Sequence, residues 1–537
     1  MNLRCYGWRL QRTCHGRVSL KEVRMFISKN HIIHLADGRL QPASNTSAAD
    51  VRNILRQALQ KNPAAGIVVH FHGGLVSENS ARETAEQRLY PLYAAKAGAY
   101  PIFFVWESGF FEAPMNNLKE IANEKIFKEF VKKASEWVLK KLPSGVGVKG
   151  AGGVGLNEVS LQQEFDDWFA GRRETLPDAL HQSADLSDAV IAINTRSVAL
   201  DEDELRAEIA DSIEGDPVFQ EAVTEVYNGL HPRNSLQPAT KGEGTKAAAN
   251  SQISKEAADR LFEPHPTDAT RGFGAIAWWK VAKVVATIVL RVIRRYRAGR
   301  AHGAYVTLVE EALRELYIDK IGRSVWWDRM KKDTADAFTE GNEYGGHAFL
   351  LALKEELEGV QSPPRITLVG HSTGAIYICH LLKSAARLLP NQQFDVVFEA
   401  PAVTHALMAA TIAEHGGRIS HFRQFAMCDE REAGDILVPI LYRSSLLYFV
   451  SGMLENEPDE PLVGMQRYLS ESDVYNADMF PNIQACREFY GKYPNSLIWS
   501  PSAAGDGRNS DGRKHGDFDD ADDSTMASVA HILQHGF

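Results

Sequence analysis

The chain is read as an α/β protein with a mostly parallel central sheet and a large helical insertion. Three observations predict this. Apolar, β-prone runs that end in glycine or turn residues alternate with helix-patterned segments over 25–110, and the same alternation returns from about 345. Between them, 111–344 is helical or polar and breaks the rhythm. Strand, helix, strand at these lengths forms a βαβ unit, whose strands are parallel. One sheet built from both ends of the chain, with the middle looped out, satisfies all three observations.

Taken in order, residues 1–24 carry Arg4, Arg9, Arg12 and Arg17 with no apolar stretch behind them, and read as an N-terminal extension. "EVRMFISKNHIIHLADG" reads as two short strands turning at Lys29-Asn30, and "TSAADVRNILRQALQ" as a helix with polar caps. "AAGIVVHFHGGL" is an apolar run closed by glycines. A helical stretch at 80–97 leads to a second run, "AYPIFFVWESG". In the insertion, 111–141 and 159–228 are helix-patterned, and 143–155 is glycine-rich. The stretch 231–271 is poor in large apolar residues and reads as a linker, before helical pattern resumes at 274–297 and 304–340. The second half then predicts helix 346–359, strand 365–369, helix 374–389, strand 394–398, helix 404–415, strand 420–427, helix 439–454, strand 496–500 and helix 524–534. The sheet domain is thus assigned to 25–110 and 345–537, and the helical insertion to 111–344.

Composition narrows the function classes. With 537 residues the chain can bury a large core, and its formal charge of −10 argues against general affinity for nucleic acid. Five cysteines, Cys5, Cys14, Cys379, Cys428 and Cys486, are odd in number and lack metal-ligand spacing. A reducing, cytoplasmic setting without metal or cofactor is expected.

The chemistry centres on "ITLVGHSTGAIYICHLL", where an apolar run meets Gly370-His371-Ser372-Thr373-Gly374 and passes at once into a helix pattern. A serine hydroxyl needs a base to take its proton, and the oxyanion it forms needs waiting N–H donors. A sharp strand-to-helix turn exposes the oxygen and aims the free N–H groups of the helix N-terminus at the developing charge. Glycines on either side relieve the crowding of such a turn. "VGHSTG" between a strand and a helix resembles the nucleophile elbow of the α/β-hydrolase superfamily of serine esterases and lipases. The resemblance covers roughly 25–110 and 345–537, and implies that family's sheet with the insertion as a cap. "VVHFHGGL" upstream resembles the His-Gly-Gly oxyanion loop of many lipases and esterases. This implies that the backbone N–H of Gly74, with Gly73 and Leu75 as alternatives, is paired with that of Thr373.

In this superfamily the acid follows the next strand but one after the serine, and the histidine follows the last strand. The last strand-like run, "NSLIWSP", is followed by "RKHGDFDD", so the resemblance makes His515 the base. Asp517 and Asp519 stand where they could raise its pKa. After "SHFRQFAM" come Asp429 and Asp435, and "GDILVP" resembles the Asp-x-x-Val-Pro form of the family, which favours Asp435 over Asp429. Glu430 and Glu432 are outside alternatives. The implied chemistry is hydrolysis of carboxylic esters through Ser372, His515 and Asp435. A thioesterase or amidase would share every motif, and an inactive scaffold that binds a membrane or partner is a rival of another class.

The segment "GFGAIAWWKVAKVVATIVLRVIRRYRAGRAHG" contains no acidic residue. At 100° per residue, Lys280, Lys283, Arg291 and Arg294 fall in one quadrant, while Trp278, Val281, Val285, Ile288, Val289 and Val292 cover the opposite side. Its longest uncharged stretch falls far short of the ~20 residues that span a bilayer. Peripheral membrane contact through 274–297, a lid over a lipid-like acyl site with Trp278 and Trp279 against substrate, and a cap helix packed on the sheet domain are all compatible with this pattern. "GAGGVG" at 150–155 fits Gly-x-Gly-x-x-Gly, but the glycine-rich stretch before it makes no strand, so it reads as a hinge.

Overall fold

The structure is a computed structural model and describes residues 27–537 apart from 28, 45, 75, 107–111, 142–157, 176–200, 232–250, 264–275, 301, 471–473 and 520–523. The N-terminal extension, the glycine-rich pattern at 150–155 and Leu75 therefore lie outside the described residues. Eight strands form the main sheet: β1 (Ile32–Ala36), β2 (Arg39–Leu40), β3 (Ile67–Phe71), β4 (Tyr100–Trp106), β5 (Ile366–His371), β6 (Phe394–Glu399), β7 (Ile419–Met427) and β8 (Leu497–Ser500). Their order is β2-β1-β4-β3-β5-β6-β7-β8, and only the edge strand β2 is antiparallel. Strands from the two ends of the chain meet at β3 and β5, where Phe71 pairs with Gly370.

The first hairpin corrects one expectation. The chain turns at Asp37-Gly38, both with left-handed backbone (φ 47° and 74°), whereas 29–31 are helical and lead into β1. Aspartate and glycine tolerate that conformation, and Lys29-Asn30 lies outside the paired strands altogether.

Three layers follow from strand alternation. Ile67, Val69 and Phe71 of β3 face one side, with Leu368, Val396 and Phe398. This side is covered by α1 (Ala48–Lys61), whose Val51, Ile54, Leu55 and Ala58 recur at helical spacing, and by four helices of the second half described below. Ser47 and Asp50 start α1 with a reciprocal capping box, the Ser47 N–H donating to Asp50 Oδ2 at 2.8 Å. Val68, Phe103, Val369, Val397 and Phe425 face the other side, against the helix that begins as α2 (Glu78–Thr84) and against the last helix of the chain.

The insertion contributes α3 (Glu112–Ile121), α4 (Lys125–Lys141), α5 (Glu158–Phe169), α6 (Glu202–Glu214), α7 (Pro217–Leu230), α8 (Lys255–Phe262), α9 (Trp278–Arg297), α10 (Ala304–Ile321) and α11 (Asp328–Asp336). The second half adds α12 (Gly345–Leu357), α13 (Gly374–Leu388), α14 (His405–His415), α15 (Pro481–Tyr490) and α16 (Ser524–His535). Within the stretch expected as a linker, α8 is an ordered helix capped by Ser254, with Ala257, Leu261 and Phe262 buried. Eight residues with one apolar face are invisible in the average composition of forty. The helical body also extends past 344: Val438, Tyr442, Leu447, Phe449, Leu454 and Tyr468 share its core. Among the described residues no helix is long and apolar enough to cross a membrane.

Inside that body Arg295 of α9 is buried and bonded to acids from two directions. Its guanidinium donates to Glu311 Oε1 (3.0 Å) and to Glu310, both on α10, and to Asp459 Oδ2 (2.9 Å) from the second half of the chain. Burial opposes its charge, yet Glu310, Asp459 and Glu311 outweigh that and raise its pKa. His302 lies between the same acids, with Nδ1 3.0 Å from Glu310 and Nε2 3.2 Å from Asp459. Removing one partner of such a group strands the others without water. Arg295→Ala is therefore expected to lower the unfolding free energy by about 3–5 kcal/mol, measured by urea denaturation; a loss below 1 kcal/mol would contradict the role given to this cluster.

Candidate active site

Ser372 stands where β5 ends and α13 begins, and its backbone is left-handed, with φ 54°. For a residue with a Cβ this conformation costs on the order of 1–3 kcal/mol and persists only when neighbours over-determine it. The neighbours are visible. The Ser372 N–H donates to the Glu399 carbonyl (2.8 Å), and the Ser372 carbonyl accepts from Ala402 N–H (3.0 Å). Gly370 and Gly374 leave no alternative path: a Cβ on Gly374 would lie 2.2 Å from the Phe71 carbonyl oxygen, and one on Gly370 2.7 Å from the Gly374 backbone. Thr373 is the N-cap residue of α13, so the positive end of that helix dipole begins beside the serine.

The Gly73-Gly74 loop that follows β3 lies against this turn. A Cβ on Gly73 would be 3.2 Å from Ser372 Cβ, and one on Gly74 would be 2.8 Å from Thr373 Oγ1 and 1.9 Å from Met330 Sδ. Met330 belongs to α11, so the helical body touches the loop directly. His72 holds the loop from behind. Its Nε2 accepts the Trp106 N–H (3.1 Å), which requires the proton on Nδ1, and Nδ1–H donates to the Gly73 carbonyl (2.6 Å). The ring stacks on Trp106 with centroids 3.8 Å apart.

His515 begins a short 3-10 turn after β8 and is buried. Its main-chain N–H donates to Asp435 Oδ2 (2.9 Å), and its carbonyl accepts from His371 Nε2 (3.0 Å). Serine, histidine and aspartate segments therefore converge at one end of the sheet. The two ring hydrogen bonds of a triad are not made: both His515 ring nitrogens are buried without a partner, and Asp435 grips the main chain of His515 instead. Asp429 faces elsewhere, accepting from Arg467 N–H (3.3 Å) and the Tyr448 hydroxyl (3.4 Å). Glu432 is buried with its carboxyl bonded by Ser445, and burial pushes its pKa well up.

Electrostatics correct one expectation. Asp517 and Asp519 do not raise the pKa of His515; burial, helped by His371, moves it well below the usual value. Asp517 instead accepts the N–H groups of Arg513 and Lys514 (2.8 and 3.0 Å), and Asp519 faces His371 Nδ1 at 3.5 Å. Burial raises the Asp435 carboxyl, partly offset by the His515 N–H.

The residues of 274–297 are spent largely on the helical body. Val281, Val285, Ile288, Val289 and Val292 are fully buried, Trp278 packs against the same core, and Trp279 is 52% exposed. Three of the four basic residues opposite them are paired: Arg291 with Glu315 (2.8 Å), Arg294 with Glu202 (2.5 Å), and Lys280 with the Glu263 carbonyl.

Against that geometry stand the comparisons with known proteins. No family model, curated protein or solved structure matches this chain. The α/β architecture with its eight-stranded, mostly parallel sheet is what the structure itself establishes.

His371 and Met330 escape a motif reading, and Asp519, read there only as a neighbour of His515, faces His371 instead. The alternation of β5, which puts 369 and 371 on one face, is the one local signal for His371; Asp519 and Met330 arrive from distant segments. Burial also leaves His70 and His72 with pKa values of about 3 and about 4. Both fall below the unfolded value of about 6.5, so each contributes stability above that pH and loses it as the pH falls toward the folded value. Ring 15N shifts should accordingly show His72 neutral, with its proton on Nδ1, from pH 8 down to pH 5. A protonation step near pH 6.5 would contradict this tautomer and its hold on Gly73.

Proposed function

We propose that this chain is a serine hydrolase of carboxylic esters, with Ser372 as nucleophile, His515 as base and Asp435 as the acid behind it. The observation that carries the reading is the strained backbone of Ser372 at a strand-to-helix turn, walled by a Gly-Gly loop. Strain of this kind is retained where it serves a site. Chain order agrees with the resemblance to the α/β-hydrolases: the serine follows β5, the aspartate follows β7 and the histidine follows β8. Two unspent nitrogens on a buried, neutral imidazole are costly, on the order of 1–3 kcal/mol each, and are what an idle base would show. Catalytic hydrogen bonds are often formed only when substrate is bound.

In this reading His515 takes the Ser372 proton as Oγ attacks the ester carbonyl carbon. The oxyanion is held by the N–H groups of Thr373 and Gly74, with Gly73 beside them. Collapse expels the alcohol, which takes the proton from His515, and a water repeats the sequence to free the acid. Asp435 is favoured over Asp429 because it already bonds the His515 segment. A lipid-like acyl group is preferred because the apolar side chain of Met330, at the edge of the helical body, lies against the Gly73-Gly74 loop. Thioesters and amides would use the same groups.

One observation favours a second reading. Ser372 is only 3% exposed and its triad hydrogen bonds are unmade, as in a scaffold that binds and does not cleave. Fluorophosphonate labelling separates the two: the unaltered protein is expected to label and Ser372→Ala not to, while equal labelling of both would remove Ser372 from the chemistry. Asp435→Asn is expected to slow labelling on the order of 10²–10⁴-fold, and Asp429→Asn to change it little. On a panel of esters from two to sixteen acyl carbons, turnover is expected to rise with chain length; hydrolysis confined to acetyl esters would count against a lipid substrate.

A further inference from the structure

His371 sits between Gly370 and Ser372 and takes no part in the chemistry proposed above, yet it is buried and its ring bridges two segments. Strand alternation turns it, with Val369, to the face covered by α16, away from α13. There its Nε2 donates to the main-chain carbonyl of His515 (3.0 Å), the two rings lying 5.2 Å apart and inclined by 34°. A carbonyl accepts only, so the proton on Nε2 is obligatory. Nδ1 faces Asp519 Oδ2 at 3.5 Å, from the turn that His515 itself begins. The other ionisable groups around this ring are His70 and His72 from the β3 end, whose pKa values it lowers, and Glu399, its register partner on β6. Tyr93 lies within the reach of Glu399 and Asp519.

We propose that His371 is a positioning residue: it holds the His515 carbonyl through Nε2–H and so sets where the base stands relative to Ser372. The inference rests on the serine hydrolase reading and deepens it. Asp435 on the His515 N–H and His371 on the His515 carbonyl grip the same residue from two sides. The base is therefore located by its main chain while its ring stays unbonded. Because His371 is one peptide bond from Ser372, any shift of the elbow carries the base with it. A displacement of about 1 Å at such a site can cost on the order of a hundredfold in rate.

Because His371 acts through one hydrogen bond to the His515 carbonyl, recovery of the rate by a side chain that still donates there is a readout that a merely structural residue lacks. The experiment measures fluorophosphonate inactivation rates from pH 5 to 9 for the full chain, His371→Leu, His371→Gln and Ser372→Ala, with thermal melts of each. His371→Leu is expected to slow inactivation on the order of tenfold to a hundredfold. His371→Gln, whose amide can donate to the same carbonyl, should restore most of the rate. Wild-type rates in His371→Leu, or a rate in His371→Gln no faster than in His371→Leu, would overturn the inference and leave the serine reading standing. Labelling of Ser372→Ala at the wild-type rate would instead overturn the reading beneath it. Should His371→Leu fail to fold, His371→Phe, which keeps a ring and loses the donor, takes its place.

Discussion

The contact between Gly374 and the Phe71 carbonyl is the constraint on which the candidate site depends. With no room for a Cβ between them, α13 leaves the sheet hard against the end of β3. The chain then has one route from β5 into the helix, and that route forces Ser372 into left-handed backbone. Parallel pairing of β3 with β5 does the rest. Since Phe71 is level with Gly370, the residues that follow β3 emerge level with those that follow β5, and Gly73 and Gly74 meet Ser372 and Thr373 without any long-range adjustment. The strain at one serine is thus held by hydrogen bonds to Glu399 and Ala402 and by close packing on β3.

Around this turn the sheet end buries an unusual number of imidazoles: His70, His72, His371 and His515. Desolvation keeps three of them neutral, with values of about 3 for His70, about 4 for His72, and well below the usual range for His515. Neutral imidazoles donate on one side and accept on the other, so they can tie loops together without the desolvation cost of a charge. His72 does this for the Gly73 loop, and His371 donates to the main chain of the His515 turn. Both link a main-chain group next to the site with a strand of the sheet, which is how a rigid scaffold can fix loops that carry chemistry.

The helical body is held together by charge as well as by apolar packing. Arg295 draws α9, α10 and Asp459 together, and the Tyr442 hydroxyl donates to Glu310 at 2.6 Å from the same later part of the chain. Met330 continues this body to the edge of the Gly73-Gly74 loop. Insertion and site are consequently not independent, since a shift of α11 would be felt at Gly74.

Much of the fold was legible locally. Apolar runs located β3 and β4, the strand expected at 365–369 is β5 at Ile366–His371, and the strand-turn-helix reading around 372 agrees with the turn from β5 into α13, where close packing admits only glycine at 370 and 374. The first hairpin was misplaced because Lys29-Asn30 is a turn-like pair, while the true turn needs left-handed residues, which Asp37-Gly38 supply. Helix α8 hid within polar sequence, and the segment from 438 was given to the sheet domain although its apolar residues complete the helical core. By itself the sequence determined where strands alternate with helices around the sheet and which turns needed glycine, since both are set by hydropathy pattern and local sterics. Only the tertiary structure decided that Asp435 grips the main chain of His515, that His371 holds it from the other side, and that the basic stripe of α9 is paired within the helical body. Those contacts join residues 24 to 144 positions apart, and their geometry depends on how whole layers pack, which no local pattern encodes.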